Sequence, residues 1–242
     1  MIEYNRFDWW HTLFSVRGTP LPRAVGRVAI FVLYTALVLL AIEAVHRAWG
    51  HDIEGLDPTA HAVVGSLIGF LIVFRMNGSN NRFWEGRSHW GMIINCSRNI
   101  VRAGAEYTDH GEEVARLVTG YVIALRQSLH GSRDFSEAAI YLPPDVLRDA
   151  ERFGNVPTGV AAAITEWIAG RYRAGQFDAQ MVRHLEDLLS KLVDAQGGCE
   201  KIQKTPLPFA YVAMIKQLIV VYLLTLPLVL FDRCGWWSPL LM

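Results

Sequence analysis

The sequence has few charged residues, few cysteines and no excess of charge of either sign. Charged side chains make up 19% of the 242 residues, and 23 basic residues balance 23 acidic ones. A nucleic-acid partner is therefore not expected, because phosphate recognition needs concentrated positive charge. The three cysteines cannot all pair and show no metal-type spacing, which argues against a disulfide scaffold and a zinc site: Cys96, Cys199 and Cys234.

Motifs of catalysis and cofactor binding are also missing. The sequence contains no phosphate-binding glycine loop, HExxH, CxxC or GxSxG motif. The eight histidines are scattered, and none lies three or four residues from another histidine or a cysteine. We therefore predict a protein that is not an enzyme and that uses no cofactor or metal ion.

Long apolar runs are what the sequence does have. Hydrophobic residues make up 52% of the chain, and the runs 28–42, 58–74 and 217–231 carry no charge. A membrane-spanning helix needs about 20 residues, and arginine or lysine near its ends can extend to the interface. With their apolar flanks, the runs predict three membrane helices at 24–46, 58–76 and 206–231. Burial inside a large soluble protein is the alternative.

The distribution of arginine predicts the orientation in the membrane. Arginines are frequent in residues 1–23 and again after the second run, whereas the short loop 47–57 carries three acidic residues. Because basic residues mark the cytoplasmic side, the N-terminus and residues 77–205 are expected in the cytoplasm, and the loop 47–57 outside. This is the topology of a multi-pass protein of the plasma (inner) membrane. Residues 232–242 predict the start of a fourth helix in a truncated chain.

The region between the second and third runs has the pattern of a helical domain. Residues 103–205 contain 15 acidic and 11 basic side chains. Apolar residues at 114, 117, 118, 121, 122 and 125 form a helical stripe, and residues 178–191 form another. Residues 77–80, Asn-Gly-Ser-Asn, predict a break between membrane helix and cytoplasmic helix. The fold class is therefore all-α, with membrane helices and a cytoplasmic helical domain.

The second run carries two features on its helix surface. Gly65 and Gly69 are four residues apart, a spacing that lets a neighbouring helix approach closely. Ser66, Phe70 and Phe74 share another face, because they lie at i, i+4 and i+8. Around an axis of several copies this stripe would form a narrow hydrophobic constriction. From the residues alone, contact with lipid or packing in a core is the favoured interpretation of this stripe, ahead of a constriction.

The segment after the second run is the most distinctive part of the sequence. Arg82, Glu85 and His89 have helical spacing and predict local ion pairs. The stretch also mixes tryptophan, glycine and asparagine, which a solvated helix does not require. It closely resembles the bacterial branch of the bestrophin family, as do the opening 9–22 and the segment 199–211. The family-motif residues are Asn81, Arg82, Trp84, Glu85, Arg87, Trp90, Gly91, Arg98, Asn99, Pro206 and Pro208.

The resemblance implies a homopentameric ion channel with four membrane helices per protomer and one axial pore. Counting back from the matched motif places the residues of the hydrophobic neck on Ser66, Phe70 and Phe74. Ser66 departs from the bulky apolar residue common there, which implies a wider or wetter outer end. A second constriction is implied near Met181 and His184. The fourth helix and the acidic segment that binds calcium in animal members have no counterpart here, so no calcium site is assigned.

Passive conduction of monovalent ions across a lipid bilayer is therefore our leading hypothesis, with Phe70 and Phe74 as a hydrophobic gate. The family resemblance favours chloride. Phenylalanine ring edges favour anions, whereas the acidic cytoplasmic region attracts cations. A sodium-selective channel of the same architecture and a non-conducting membrane scaffold are the alternatives.

Overall fold

The computed structural model describes residues 21–50 and 55–234, with four isolated positions between 10 and 19. Most of the predicted N-terminal segment 1–23, part of the loop 47–57, and residues 235–242 of the predicted fourth helix lie outside this description. All regular structure in the described part is helical, which confirms the all-α prediction. The helices are α1 (Leu21–Trp49), α2 (Pro58–Tyr107), α3 (Gly111–Leu129), α4 (Pro144–Arg152), α5 (Val156–Arg173), α6 (Ala179–Lys204) and α7 (Phe209–Cys234), with a 3-10 turn at Ala138–Ile140.

The chain forms two compact units. The first contains residues 1–75 and 208–242, and the second contains residues 76–207. Three helices are long and apolar enough to cross a membrane: α1, α2 and the part of α7 that covers Phe209–Phe231. They coincide with the three charge-free runs of the sequence.

In the first unit, hydrogen bonds from tyrosine connect the apolar helices. The Tyr34 hydroxyl of α1 donates to the carbonyl oxygen of Leu224 in α7 at 2.9 Å. The Tyr211 hydroxyl of α7 donates to the carbonyl oxygen of Leu71 in α2 at 3.2 Å. Both bonds satisfy a phenolic group that would otherwise be costly to place in an apolar region.

The second unit has a continuous hydrophobic core made by α3, α5, α6 and the later part of α2. The amphipathic stripe predicted for residues 114–125 is confirmed, since Val114, Leu117, Val118, Tyr121 and Leu125 are buried. The stripe of α6 is confirmed at Leu185, Leu188, Leu189 and Leu192. Asn155 and Asp178 cap the N-termini of α5 and α6, each accepting a hydrogen bond from a first-turn amide.

The predicted helix break at residues 77–80 is wrong, because α2 runs without interruption from Pro58 to Tyr107. Glycine, asparagine and serine each cost up to about 1 kcal/mol relative to alanine inside a helix, which lowers stability without forbidding the conformation. Extending an existing helix is also easier than starting a new one, so the helical residues on both sides continue through this segment. A Cβ at Gly78 would lie 3.9 Å from Cδ2 of Leu207, an ordinary contact distance.

Candidate functional site

One face of the first part of α2 packs against α7. The imidazole of His61 stacks on the Tyr222 ring with centroids 4.0 Å apart. One turn later, a Cβ at Gly65 would lie 2.9 Å from the Tyr222 hydroxyl, so the glycine allows this close approach. Ile68, on the same face, is buried. Of the predicted glycine pair, Gly69 has no atom within 4 Å of its Cβ position, so the close contact is made at Gly65.

Ser66, Phe70 and Phe74 lie on the opposite face of α2. A helix turns about 100° per residue, which places the centre of this stripe roughly 180° from His61, Gly65 and Ile68. Phe70 is 68% exposed and Phe74 is 60% exposed. Packing of these two rings in the core of a single protomer, one of the alternatives above, is therefore excluded.

The two phenylalanines contact one another along this stripe. Their ring centroids are 5.8 Å apart, with the ring planes at 50°, a tilted arrangement that aromatic pairs favour. The exposed Ser66 hydroxyl donates to the carbonyl oxygen of Ala62 at 2.9 Å. Its hydrogen is thus used within the helix, while the oxygen still has accepting capacity. The stripe presents a small polar residue followed by two aromatic rings.

Further along α2, Arg82 binds the C-terminal end of α6. Its Nη1 donates to the carbonyl oxygen of Thr205 and its Nη2 to that of Ile202, both at 2.5 Å. The last carbonyls of a helix have no partner within it, so the guanidinium satisfies two acceptors at once. Of the local pairs predicted among Arg82, Glu85 and His89, the one between Glu85 and His89 is confirmed at 3.8 Å. The one between Arg82 and Glu85 is wrong, because the arginine reaches these distant carbonyls instead.

Glu85 also bonds to α6. Its Oε1 lies 2.5 Å from the Nζ of Lys201 on α6. The same oxygen lies 3.8 Å from the Nε2 of His89, which is one turn further along α2. The hydrogen bond from Lys201 is the largest influence on the Glu85 carboxyl and lowers its pKa. A Cβ at Gly198 would lie 2.4 Å from His89 ring atoms, so the glycine admits the imidazole. We call Arg82, Glu85 and their partners on α6 the clasp.

The clasp brings the two family motifs into contact, although their residues are more than 110 positions apart. Both motifs are visible in the sequence, but their pairing is not; the unpaired carbonyls at the end of a long helix were the signal for it. The remaining motif residues lie outside these contacts. Asn81, Trp84, Arg87, Arg98, Pro206 and Pro208 are exposed, and Trp90, Gly91 and Asn99 are half-buried.

The residues expected at a second constriction lie in the first turns of α6. The Met181 amide donates to the Oδ1 of Asp178 at 2.7 Å, which caps the helix. Met181 is half-buried and His184 is exposed. Within the described ranges, no group of three histidine, cysteine or acidic residues is placed to hold a metal ion.

Comparisons with known proteins agree with this architecture. The family described as Bacterial/Fungal Bestrophin protein matches residues 1–242. A voltage-dependent anion channel-forming protein of Nostoc sp. is 29% identical over 241 residues, covering 96% of this chain and 76% of the relative. One of the same description from Ralstonia nicotianae is 27% identical, covering 99% and 79%.

A solved structure extends the likeness to the fold. The crystal structure of a mutant bacterial Bestrophin homolog from Klebsiella pneumoniae superposes with a TM-score of 0.81 at 20% identity, covering 93% of this chain and 82% of that one. Its helical architecture is therefore shared. With the family match over the whole sequence and three helices able to span a bilayer, the chain is a membrane protein that belongs to the bacterial and fungal bestrophin family.

Proposed function

We propose that this protein is a channel that conducts monovalent anions, chloride foremost, through the axial pore of a homopentamer. The family and the names of its relatives point to a channel rather than an enzyme. The observation that carries the proposal is the exposed pair Phe70 and Phe74, on the α2 face turned away from α7. In a ring of five copies this face lines the neck of the pore.

An aromatic neck controls passage through the cost of wetting it. Residues 58–74 carry no charge, so an ion in the neck loses part of its hydration shell without a fixed charge to replace it. Such a constriction closes when water leaves it and conducts when it is wet. The edges of phenyl rings are partly positive and favour an anion over a cation. The small polar side chain of Ser66 makes the outer end of the neck wider and easier to wet.

The cytoplasmic region opposes this preference. Its acidic excess, 15 residues against 11 in 103–205, attracts cations towards the inner mouth. We place the selectivity in the neck, where the ion is least hydrated and the electrostatic effect of the rings is strongest. Met181 and His184 belong to a second constriction in the cytoplasmic part, with the N-terminus on the same side of the inner membrane.

Recordings from the purified protein in planar bilayers test the selectivity. With a potassium chloride gradient, the reversal potential should lie near the chloride equilibrium potential and shift when gluconate replaces chloride. A reversal near the potassium potential would instead establish the cation-selective alternative. Absence of current from a preparation that light scattering shows to be a closed ring would support the scaffold.

Alanine at both Phe70 and Phe74 should raise the unitary conductance by about twofold or more, because removing the rings widens the neck and makes it easier to wet. Phe209→Ala is the matched control, since Phe209 is an 86% exposed phenylalanine at the start of α7. Its conductance should equal that of the wild type. Unchanged currents in the double variant would remove these phenylalanines from the gate.

A further inference from the structure

A groove with positive charge runs between α2 and α3 in the second unit. Its centre is apolar and includes Ile94, Val101, Val122 and Ile123. The charged residues that line it are Arg98 and Arg102, both exposed, and no acidic residue of the described chain joins them there. Neither arginine has a hydrogen bond or an ion pair with any other described residue. The groove therefore carries two positive charges that nothing in its own protomer neutralises.

A second groove, between α5 and α6, has the opposite charge. Its apolar residues include Ala161, Leu189 and Val193. Its charged residues are Glu186 and Asp194, and in the part of the chain that the structure describes no basic residue lines it and no base pairs with either carboxylate. The neighbouring Lys191 is bound to Asp187 at 2.6 Å. This groove therefore carries two negative charges without partners.

The two grooves lie on opposite sides of the second unit. α5 packs against both α3 and α6, and α6 is joined to α2 by the clasp. The Tyr121 hydroxyl of α3 donates to the Oε1 of Gln196 in α6 at 2.7 Å, inside the core. α2 and α3 meet at Gly104, where a Cβ would lie 2.6 Å from the Cγ1 of Val114. The order around the core is thus α2, α3, α5, α6, and the pairs α2/α3 and α5/α6 form opposite sides.

Unbalanced charge is not a general property of grooves in this unit. The groove between α3, the 3-10 turn and α5 is lined by three glutamates and three arginines, so its charges balance. Burying unpaired charges against water-excluding surface is costly unless an opposite charge meets them. The basic groove and the acidic groove each need such a partner, and each offers what the other needs.

We propose that, in the homo-oligomer, the α2/α3 groove of one copy packs against the α5/α6 groove of the next. Arg98 and Arg102 then face Glu186 and Asp194 of the neighbouring copy. Different surfaces on opposite sides of a protomer form a head-to-tail interface, which closes into a ring, whereas a two-fold interface would bring like charges together. The inference rests on the homo-oligomer of the proposed function and assigns the surfaces that hold its second units together.

The shape and composition of the grooves suit this contact. Each groove lies between two helices, so the ridge of a helix from one pair fits into the groove of the other. The apolar residues form the centre of the contact, and charged and hydroxyl side chains form its rim, which is the usual anatomy of protein interfaces. The hydroxyl residues of the two linings are Ser97, Thr119, Thr158, Thr165 and Ser190.

Light scattering of the detergent-purified full chain during heating tests the interface, because it gives the temperature at which the ring dissociates. Arg98→Glu with Arg102→Glu places like charges opposite each other and should lower this temperature by roughly 5 °C or more. Glu186→Lys with Asp194→Lys should do the same. The fourfold variant that carries both reversals restores opposite charges and should dissociate near the wild-type temperature.

Arg133→Glu with Arg148→Glu is the matched control. Both residues are exposed arginines outside the two grooves, so this double variant should dissociate as the wild type does. Circular dichroism checks that each variant keeps its helix content. Where a reversal lowers that content, Arg98→Gln with Arg102→Gln takes its place and should give a smaller fall in the dissociation temperature.

Two results would overturn the proposal: a dissociation temperature that neither charge reversal changes, and a fourfold variant as unstable as the double variants. Either result in a wild-type ring refutes this interface alone and leaves the channel proposal, which bilayer currents test, unaffected. A wild-type chain that light scattering shows to be monomeric would instead refute the homo-oligomer of the proposed function.

Discussion

Replacing Arg82 should destabilise the second unit by opening the clasp. In Arg82→Met the two carbonyl oxygens of Ile202 and Thr205 lose their donors, while the aliphatic part of the side chain is retained. Arg82→Lys keeps the positive charge, but a single ammonium group does not reproduce the planar fork that reaches both carbonyls. We therefore expect a graded loss, with methionine worse than lysine.

The magnitude follows from the two bonds. A hydrogen bond that involves a charged group contributes about 1.5–3 kcal/mol net, and the bond to Thr205 is exposed, which places it at or below the lower end. The bond to Ile202 is partly buried. The sum for Arg82→Met is about 2–4 kcal/mol, and roughly half of that for Arg82→Lys. In a chain of this length each kcal/mol lowers Tm by about 2–4 °C.

Thermal unfolding of the detergent-purified variants, followed by tryptophan fluorescence, measures the effect. Arg82→Met should lower Tm by roughly 4–16 °C, and hydrogen exchange should accelerate first in peptides from residues 199–207. Arg87→Met is the matched control, because Arg87 is an exposed arginine of the same helix without an ion pair among the described residues. Equal Tm values for the Arg82 and Arg87 variants would refute the role assigned to the clasp.

Two further predictions concern helix packing and acid stability. Gly159→Ala should destabilise the protein by about 1–3 kcal/mol in chemical unfolding, because the new Cβ would lie 2.5 Å from the backbone Cα of Ala150. Gly170→Ala in the same helix is the control: its Cβ meets nothing within 4 Å, so this variant should be neutral or stabilising. Because the folded-state pKa of Glu85 is lowered from its ordinary value of 4.5, its contribution is present above pH 4.5 and lost as the pH falls through the lowered value. Glu85→Gln should therefore show a flatter fall of Tm between pH 6 and 3, and a profile as steep as that of the wild type would contradict the ion pair with Lys201.

The sequence determined the elements whose signals are local. The three charge-free runs predicted the apolar helices, because the length of an apolar run is visible in the chain itself. Periodicity predicted the buried face of α3, since residues three and four apart meet on one side of a helix. The motif at 81–91 predicted the family, which the comparison over residues 1–242 confirmed.

Only the tertiary structure decided how these elements are used. The sequence predicted a break in α2 at residues 77–80 from weak local propensity, but the helix is continuous there, because the helical residues on both sides extend through the segment. The Arg82 guanidinium donates to the carbonyl oxygens of Ile202 and Thr205, 120 and 123 residues away, and not to the carboxylate of Glu85 three residues away. The packing of His61 and Gly65 against Tyr222 turned the opposite face, with Phe70 and Phe74, outward. A local pattern specifies which residues share a face, but what that face meets is set by chain segments far away in sequence.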